Sequence, residues 1–168
     1  MKAIASLGGG LAGAAAVTLI HESVKRIVPA APRMDLLGMN ALSKGLKAAG
    51  LKTPNKTQLL AISLAGDIIA NSLYYSLAGI GKEKNIWWRS AALGLAAGIG
   101  AVSLPGPLGL GKKHSNRTLS TKIMTVGLYV AGALVTTAAI KLFSKKVEKT
   151  KYRRHQEWER RLVTSAMG

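Results

Sequence analysis

The chain has 168 residues and a formal net charge of +17, and hydrophobic residues make up 48% of it. It contains no cysteine, which excludes disulfide bonds and thiolate metal sites. Lys and Arg fall between long apolar runs, so the composition favours a membrane protein with basic loops over a soluble nucleic-acid-binding protein.

The first apolar run covers residues 3–20 and predicts a transmembrane helix. A lysine before it and the small residues Ala14-Ala15-Ala16 also resemble a secretory signal, so a cleaved segment is the alternative to a retained helix. The run contains a G-x-G-x-x-G pattern, but two prolines interrupt the second strand that a dinucleotide site would need. We therefore interpret Gly9 and Gly13 as a small-x-x-x-small pair for helix packing.

Residues 21–58 form a polar connection that contains a predicted amphipathic helix at about 34–50. Two prolines precede this helix, and Gly50 and Pro54 follow it, as expected at helix boundaries. On a helical wheel the polar side holds Arg33, Asn40, Lys44 and Lys47, and the opposite side holds Met39, Leu42, Leu46 and Ala49. The pattern is typical of a helix lying in the membrane interface, and equally of one packed on the protein's own loops.

Three further apolar runs are long enough to be predicted transmembrane spans. They cover residues 59–80, 86–104 and 123–143. Trp87 and Trp88 open the third of the four spans and are predicted interface anchors, because tryptophan rings suit the headgroup boundary. Residues 144–168, the basic tail, contain no Pro and no Gly before the last residue, so we expect the tail to continue the fourth helix.

Small residues four positions apart recur in every predicted span. Beside Gly9 and Gly13, the pairs are Ala61 with Ala65, Gly94 with Gly98, and Gly127 with Ala131. Small side chains let helix backbones approach closely in lipid, so these pairs are predicted packing sites. They favour a compact bundle, and they also offer faces to other membrane-protein subunits or to a second copy of the chain.

The second span carries an intramembrane polar face made of residues spaced by four, namely Ser63, Asp67, Asn71 and Tyr75. A carboxylate inside a span costs about 2.5–3.5 kcal/mol on insertion scales, so Asp67 requires a function or a partner. One hypothesis is a path for protons or cations along this face. The favoured hypothesis is a structural clasp, in which Asp67 bonds to a group of another helix. The candidate partners are Arg89, His21, Thr125, Tyr129 and Thr136.

The basic tail combines dense positive charge with two aromatic residues. Its basic residues are Lys145, Lys146, Lys149, Lys151, Arg153, Arg154, Arg160 and Arg161. We expect this segment to contact the bilayer through anionic lipids, or to contact a partner protein. Tyr152 and Trp158 could also stack on bases, so a membrane tether for nucleic acid or the ribosome is a less favoured alternative.

Catalytic patterns are missing from the sequence, since no paired carboxylates, no Ser-His-Asp set in context and no phosphate loop occur. The histidines His21, His114 and His155 are too far apart for a metal-ligand spacing. We therefore expect no enzyme activity, no catalytic residue, no metal and no other cofactor.

Together these patterns predict an all-α polytopic membrane protein, with about four transmembrane helices in residues 1–143 and the basic tail in residues 144–168. The predicted function is that of a small non-enzymatic accessory or scaffold subunit of a membrane complex. The alternative is a small transporter or channel for protons or cations. The composition suggests a multi-pass protein of a bacterial cytoplasmic membrane. Lys and Arg are divided almost equally between the two predicted sides, and only the charge density of the tail favours a cytoplasmic tail.

Overall fold

The computed structural model describes the backbone of residues 2–166, and within it the side chains of residues 3–150 and 152–158. This part of the chain is helical and contains no β-strand. Its five α-helices are α1 (Lys2–Ile27), α2 (Met34–Ala48), α3 (Lys56–Ser76), α4 (Ile86–Ser103) and α5 (Leu119–Ala166). The all-α class predicted from the sequence is therefore confirmed.

Helix α1 continues past the predicted end at residue 20, as far as Ile27. Glu22 and Lys25 lie one turn apart on this extension and form an ion pair, with 2.6 Å between Nζ and Oε1. The extension beyond the apolar run is therefore charged, and these two charges pair with each other. The helix ends two residues before Pro29, because a proline disfavours the helical conformation in the residue that precedes it. The whole G-x-G-x-x-G pattern lies inside α1, so it forms no nucleotide-binding turn.

Helix α2 is the predicted amphipathic helix, and it packs against α3. Leu37 is buried, and the two lysines Lys44 and Lys47 are exposed. The chain leaves the helix through Gly50, which adopts a φ of 72°, while the amide of Leu51 donates to the carbonyl of Leu46. This left-handed glycine closes the helix, because other residues pay a steric cost there.

Helices α1 and α5 form the centre of the bundle, with α3 packed on α1 and α4 packed on α5. Two single-turn 3-10 helices and Gly81, with a φ of 93°, reverse the chain between α3 and α4. These two helices are consecutive but contact each other little. Each of them is held mainly by one of the two central helices.

Glycines set the spacing between the central helices and α4. A Cβ atom added at Gly94 would lie 2.7 Å from Cα of Val130, and one added at Gly98 would lie 2.6 Å from Cα of Val126. Helix α4 therefore approaches the backbone of α5 more closely than any larger side chain would permit. A buried cluster of Val17, Tyr75, Tyr129 and Ala133 fills the space between α1, α3 and α5.

Three segments are long and apolar enough to cross a membrane: Ala3–Ile27, Lys56–Gly79 and Leu119–Trp158. The predicted four-span bundle is thus supported only in part. Helix α4 has 18 residues, the fewest of the four helices that contain predicted spans, and its first turn carries two tryptophans and Arg89. Its buried face is also rich in glycine, which adds little to hydropathy.

Candidate functional site

A small polar cavity lies where α1, α2 and α3 meet. Its volume of about 20 Å³ is enough for one water-sized molecule. The lining residues are Thr18, His21 and Glu22 of α1, Met34, Asp35 and Gly38 of α2, and Ser63, Leu64 and Asp67 of α3. This cavity brings together the predicted intramembrane carboxylate and a histidine distant from it in sequence.

His21 is the least exposed ionisable side chain of the cavity, with 7% of its surface accessible. Its ring hydrogen-bonds to the backbone of Val17 and lies edge-on to Tyr129, with ring centroids 5.7 Å apart. Its Nε2 atom is buried and has no hydrogen-bond partner among the described residues, and the same holds for Oγ1 of Thr18. A buried polar atom without a partner costs roughly 1–3 kcal/mol, so both atoms favour a small polar guest.

Asp67 is half-buried and hydrogen-bonded to Asn71, one turn later on α3. In the part of the chain that the structure describes, no cationic side chain lies within ion-pair distance of its carboxylate. Arg89 donates instead to the carbonyl of Ala78, at 2.8 Å. The hydroxyl groups of Thr125 and Thr136 donate to backbone carbonyls of their own helix. Of the candidate clasp partners, only His21 lines the same cavity as Asp67.

The predicted polar face of α3 is divided in the structure. Ser63 and Asp67 line the cavity, whereas Tyr75 is only 1% exposed and donates a 2.9 Å hydrogen bond to the carbonyl of Tyr129 on α5. An α-helix turns about 100° per residue, so each step of four drifts by about 40° and Tyr75 points about 120° away from Ser63. Ser63 and Asp67 therefore share the cavity, whereas Tyr75 lies in the core of the bundle.

An ion-pair cluster joins the end of α1 to the start of α2 beside the cavity. The carboxylate of Asp35 accepts from Lys25 at 3.0 Å, and from two nitrogens of Arg33 at 3.1 Å. Burial alone would raise the pKa of Asp35, but the hydrogen bonds from Arg33 and Lys25 outweigh burial and lower the pKa to about 2. The pair of Glu22 with Lys25 needs only the spacing of one helix, whereas the contact of Lys25 with Asp35 depends on the turn between two helices.

The predicted packing pairs fall into two groups. Gly9 and Gly13 contact α5 at Thr136 and Ile140, and Gly94 and Gly98 contact α5 as described above. The other two pairs largely face outward: Ala61, Ala65 and Gly127 are exposed, and Ala131 is half-buried. An added Cβ at Gly127 would meet no atom within 4 Å. Among the described residues, Gly127 is therefore not packed against a neighbouring helix.

The predicted interface anchors lie at the start of α4. Trp88 is 82% exposed, while the ring of Trp87 lies 5.5 Å from Nζ of Lys141, within cation–π range. This contact ties the start of α4 to the part of α5 where its apolar half ends.

The basic tail is the second half of α5, because this helix continues without a break to Ala166. Five of its predicted basic residues have exposed side chains: Lys145, Lys146, Lys149, Arg153 and Arg154. The side chains of Lys151, Arg160 and Arg161 lie outside the described ones. In its described portion, the tail is thus an exposed, positively charged helix.

Interhelical hydrogen bonds were not predicted, except as a role for Asp67. Tyr74 donates to the carbonyl of Leu93 at 3.0 Å, and Ser90 hydrogen-bonds to Thr137 across the contact of α4 with α5. Hydroxyl groups at these positions resemble every other Ser, Thr and Tyr of the spans, so only the register of the helices identifies them. They join α3 to α4 and α4 to α5, which is the kind of interhelical contact that the sequence had favoured for Asp67.

Within the described residues, no group of three His, Asp or Glu side chains is placed to hold a metal ion. Comparison with protein-family models, with curated proteins and with solved structures finds no match to this chain.

Proposed function

We propose that this chain is a non-enzymatic membrane scaffold, an accessory subunit that holds a basic helix at the membrane surface. The observation that carries the proposal is the continuity of α5, whose 48 residues run from the packed bundle into the tail. Thr136, Thr137 and Ile140 are buried, whereas the described basic residues after Ser144 are exposed. Since no loop interrupts the helix, the bundle fixes the direction in which the tail leaves it.

The proposal includes α4 as a fourth span. Its 18 residues reach about 27 Å at 1.5 Å per residue, close to the roughly 30 Å of a hydrocarbon core. Its glycines pack directly on α5, and Trp87 and Trp88 would lie at the headgroups. Four spans would place the start of α1 and the basic tail on the same side of a bacterial cytoplasmic membrane.

Attraction to anionic lipid follows from the charge of the tail. Each Lys or Arg near an anionic surface contributes about 1 kcal/mol, so the five described basic side chains are enough to hold the tail against such a surface. The pairs on α3 and α5, whose small residues are largely exposed, would seat a helix of another membrane subunit.

Trp158 offers a direct test, because it lies in the tail with 60% of its surface exposed. Trp87→Phe with Trp88→Phe leaves it as the only tryptophan. In nanodiscs that contain phosphatidylglycerol, we expect brominated lipid to quench Trp158, and we expect high salt to reverse the quenching. Nanodiscs of phosphatidylcholine alone should show little quenching. Equal quenching in both lipids, unaffected by salt, would contradict the proposal.

A second candidate function is movement of protons or cations. The polar cavity favours it, because Nε2 of His21 and Oγ1 of Thr18 have no partner among the described residues and line the same cavity as Asp67. Two features count against it, since the cavity holds only one water-sized guest and Tyr75 is buried in the core further along α3. We expect proteoliposomes of the native chain to show no more proton or cation flux than those of Asp67→Asn. Flux that Asp67→Asn abolishes would establish the transport function instead.

A further inference from the structure

The start of α1 and the second half of α5 enclose a groove of about 500 Å³, here called the α1–α5 groove. It lies where the apolar part of α5 passes into the basic tail. Its lining residues are Ile4, Ala5 and Gly8 of α1, and Phe143, Lys146, Val147, Thr150 and Arg154 of α5. One part of the lining is apolar, and the other carries two cations and a hydroxyl group.

The apolar part of the groove is formed where the ring of Phe143 packs closely on the backbone at Gly8. Gly8 faces the ring of Phe143, and a Cβ added at Gly8 would lie 3.1 Å from two of the ring carbons. Ile4 lies one turn before Gly8 and is 72% exposed, so the groove stays open to the surroundings. A slot of this kind, beside the end of a spanning segment, suits a flexible hydrocarbon chain.

The polar part of the groove is positively charged. Lys146, Thr150 and Arg154 are spaced by four residues on α5, so they follow one side of the helix. Lys146 and Arg154 form no ion pair with a described carboxylate, and the groove lining contains no acidic residue. Their Cα atoms are about 12 Å apart along the axis, a separation that two long side chains can close around one phosphate.

We propose that the α1–α5 groove binds an anionic phospholipid, with an acyl chain against Gly8 and Phe143 and the headgroup phosphate between Lys146 and Arg154. The occupant is a lipid rather than a soluble phosphate, because the apolar part would otherwise stay exposed to water. This inference rests on the proposed scaffold function and adds to it a specific lipid site.

The test uses the purified chain in a neutral detergent, where no anionic membrane surface acts on the tail. Native mass spectrometry counts bound phosphatidylglycerol and, separately, phosphatidylcholine with the same acyl chains. We expect one phosphatidylglycerol to bind about tenfold or more tightly than phosphatidylcholine. Glycerol phosphate should not displace it, whereas displacement by this soluble anion would show a phosphate site and overturn the lipid proposal.

The charge arm compares two matched double variants. Lys146→Gln with Arg154→Gln removes the two groove cations and should abolish the preference for phosphatidylglycerol. Lys145→Gln with Arg153→Gln removes the same charge from the neighbouring positions outside the groove and should change binding by less than about threefold, because separated charges are screened at physiological salt. All four side chains are exposed, so neither variant disturbs the packing of the bundle. If both double variants lose the preference for phosphatidylglycerol equally, the groove is not the lipid site.

The shape arm leaves every charge in place. Gly8→Leu pushes a larger side chain against the ring of Phe143 and obstructs the apolar part of the groove, so it should remove the bound lipid. Gly127→Leu adds the same side chain where an added Cβ meets no atom within 4 Å. If a folded Gly8→Leu chain still binds the lipid, the proposal is overturned. It is also overturned if Lys146→Gln with Arg154→Gln changes the oligomeric state but leaves lipid binding unaltered. The quenching of Trp158 in nanodiscs reports on the scaffold function separately, since it depends on the whole tail.

Discussion

Two contacts of α1 differ in how they are built. Against α5, the glycines Gly9 and Gly13 bring the backbones together, and the hydroxyl group of Thr136 is hydrogen-bonded to the carbonyl of Gly132. Against α2 and α3, the helices leave the polar cavity, where Thr18 and His21 keep unpartnered polar atoms. The comparison indicates that the α5 side supplies tight packing, while the cavity side tolerates polar groups at a cost in stability.

The largest expected effect comes from breaking the tight contact. A Cβ at Gly13 would overlap Oγ1 of Thr136 and lie 2.6 Å from the carbonyl oxygen of Gly132. We expect Gly13→Ala to lower the free energy of unfolding by about 2–3 kcal/mol, since overpacking forces backbone shifts. Gly127→Ala is the matched control and should be neutral or stabilising by up to about 1 kcal/mol. Denaturant unfolding in detergent measures both, and equal effects would show that the glycine contact is unimportant.

The next effect concerns the ion-pair cluster beside the cavity. The pKa of Asp35 is about 2 in the fold against an ordinary value of 3.8, so its contribution is fully present above about pH 4. This contribution to the free energy of unfolding, at most about 2 kcal/mol, should be lost as the pH falls from about 4 to about 2. Unfolding measured across this range should show the loss in the native chain and not in Asp35→Asn. The control Glu148→Gln, on the exposed part of α5, should still lose stability over this pH range. If Asp35→Asn shows the same pH profile as the native chain, the loss does not come from Asp35.

A smaller effect is expected for the hydrogen bond that crosses the core. Tyr75→Phe leaves the carbonyl of Tyr129 without the donor that lies 2.9 Å away. Interhelical hydrogen bonds in membrane proteins average about 0.6 kcal/mol and reach about 1.7 kcal/mol, so we expect a loss of about 1 kcal/mol. Tyr152→Phe removes an exposed hydroxyl group from the tail and should have no measurable effect. If Tyr152→Phe destabilises the chain more than Tyr75→Phe does, the bond to Tyr129 contributes little to stability.

The smallest effect should come from the cavity itself. Thr18→Val replaces the unpartnered hydroxyl group by a methyl group of similar size. Removing an unsatisfied polar atom is nearly neutral or stabilising, so we expect a change between about zero and 1 kcal/mol in favour of the fold. Ser90→Ala breaks the hydrogen bond to Thr137 and should instead destabilise the chain by roughly 1 kcal/mol. A strong destabilisation by Thr18→Val would mean that the hydroxyl group holds a bound guest.

The sequence predicted the features that depend on neighbouring residues. Apolar runs of sufficient length identified three segments able to cross a membrane, and prolines with Gly50 marked the limits of α2 to within a few residues. Spacing also placed Ser63 and Asp67 together on α3. Each of these predictions needs only the period of a helix and the chemistry of its ends.

The remaining features depend on how the helices are arranged in space. The ion pairs of Asp35 require the turn between α1 and α2, and the meeting of His21 with Asp67 around one cavity requires the packing of three helices. The spacing by four placed Tyr75 on the same face as Ser63, but only the packed structure shows that Tyr75 is buried and bonded to the carbonyl of Tyr129. Gly127 fits a packing pattern, yet a Cβ added there meets no described atom within 4 Å.

The length of α5 links its tail to the thickness of the surrounding bilayer. Its 48 residues measure about 72 Å, more than twice the hydrocarbon core of about 30 Å. A spanning helix whose apolar part is too long for its bilayer tilts to fit. Because the tail shares the axis of that segment, a thinner membrane would lower the far end of α5 towards the headgroups, and a thicker one would raise it.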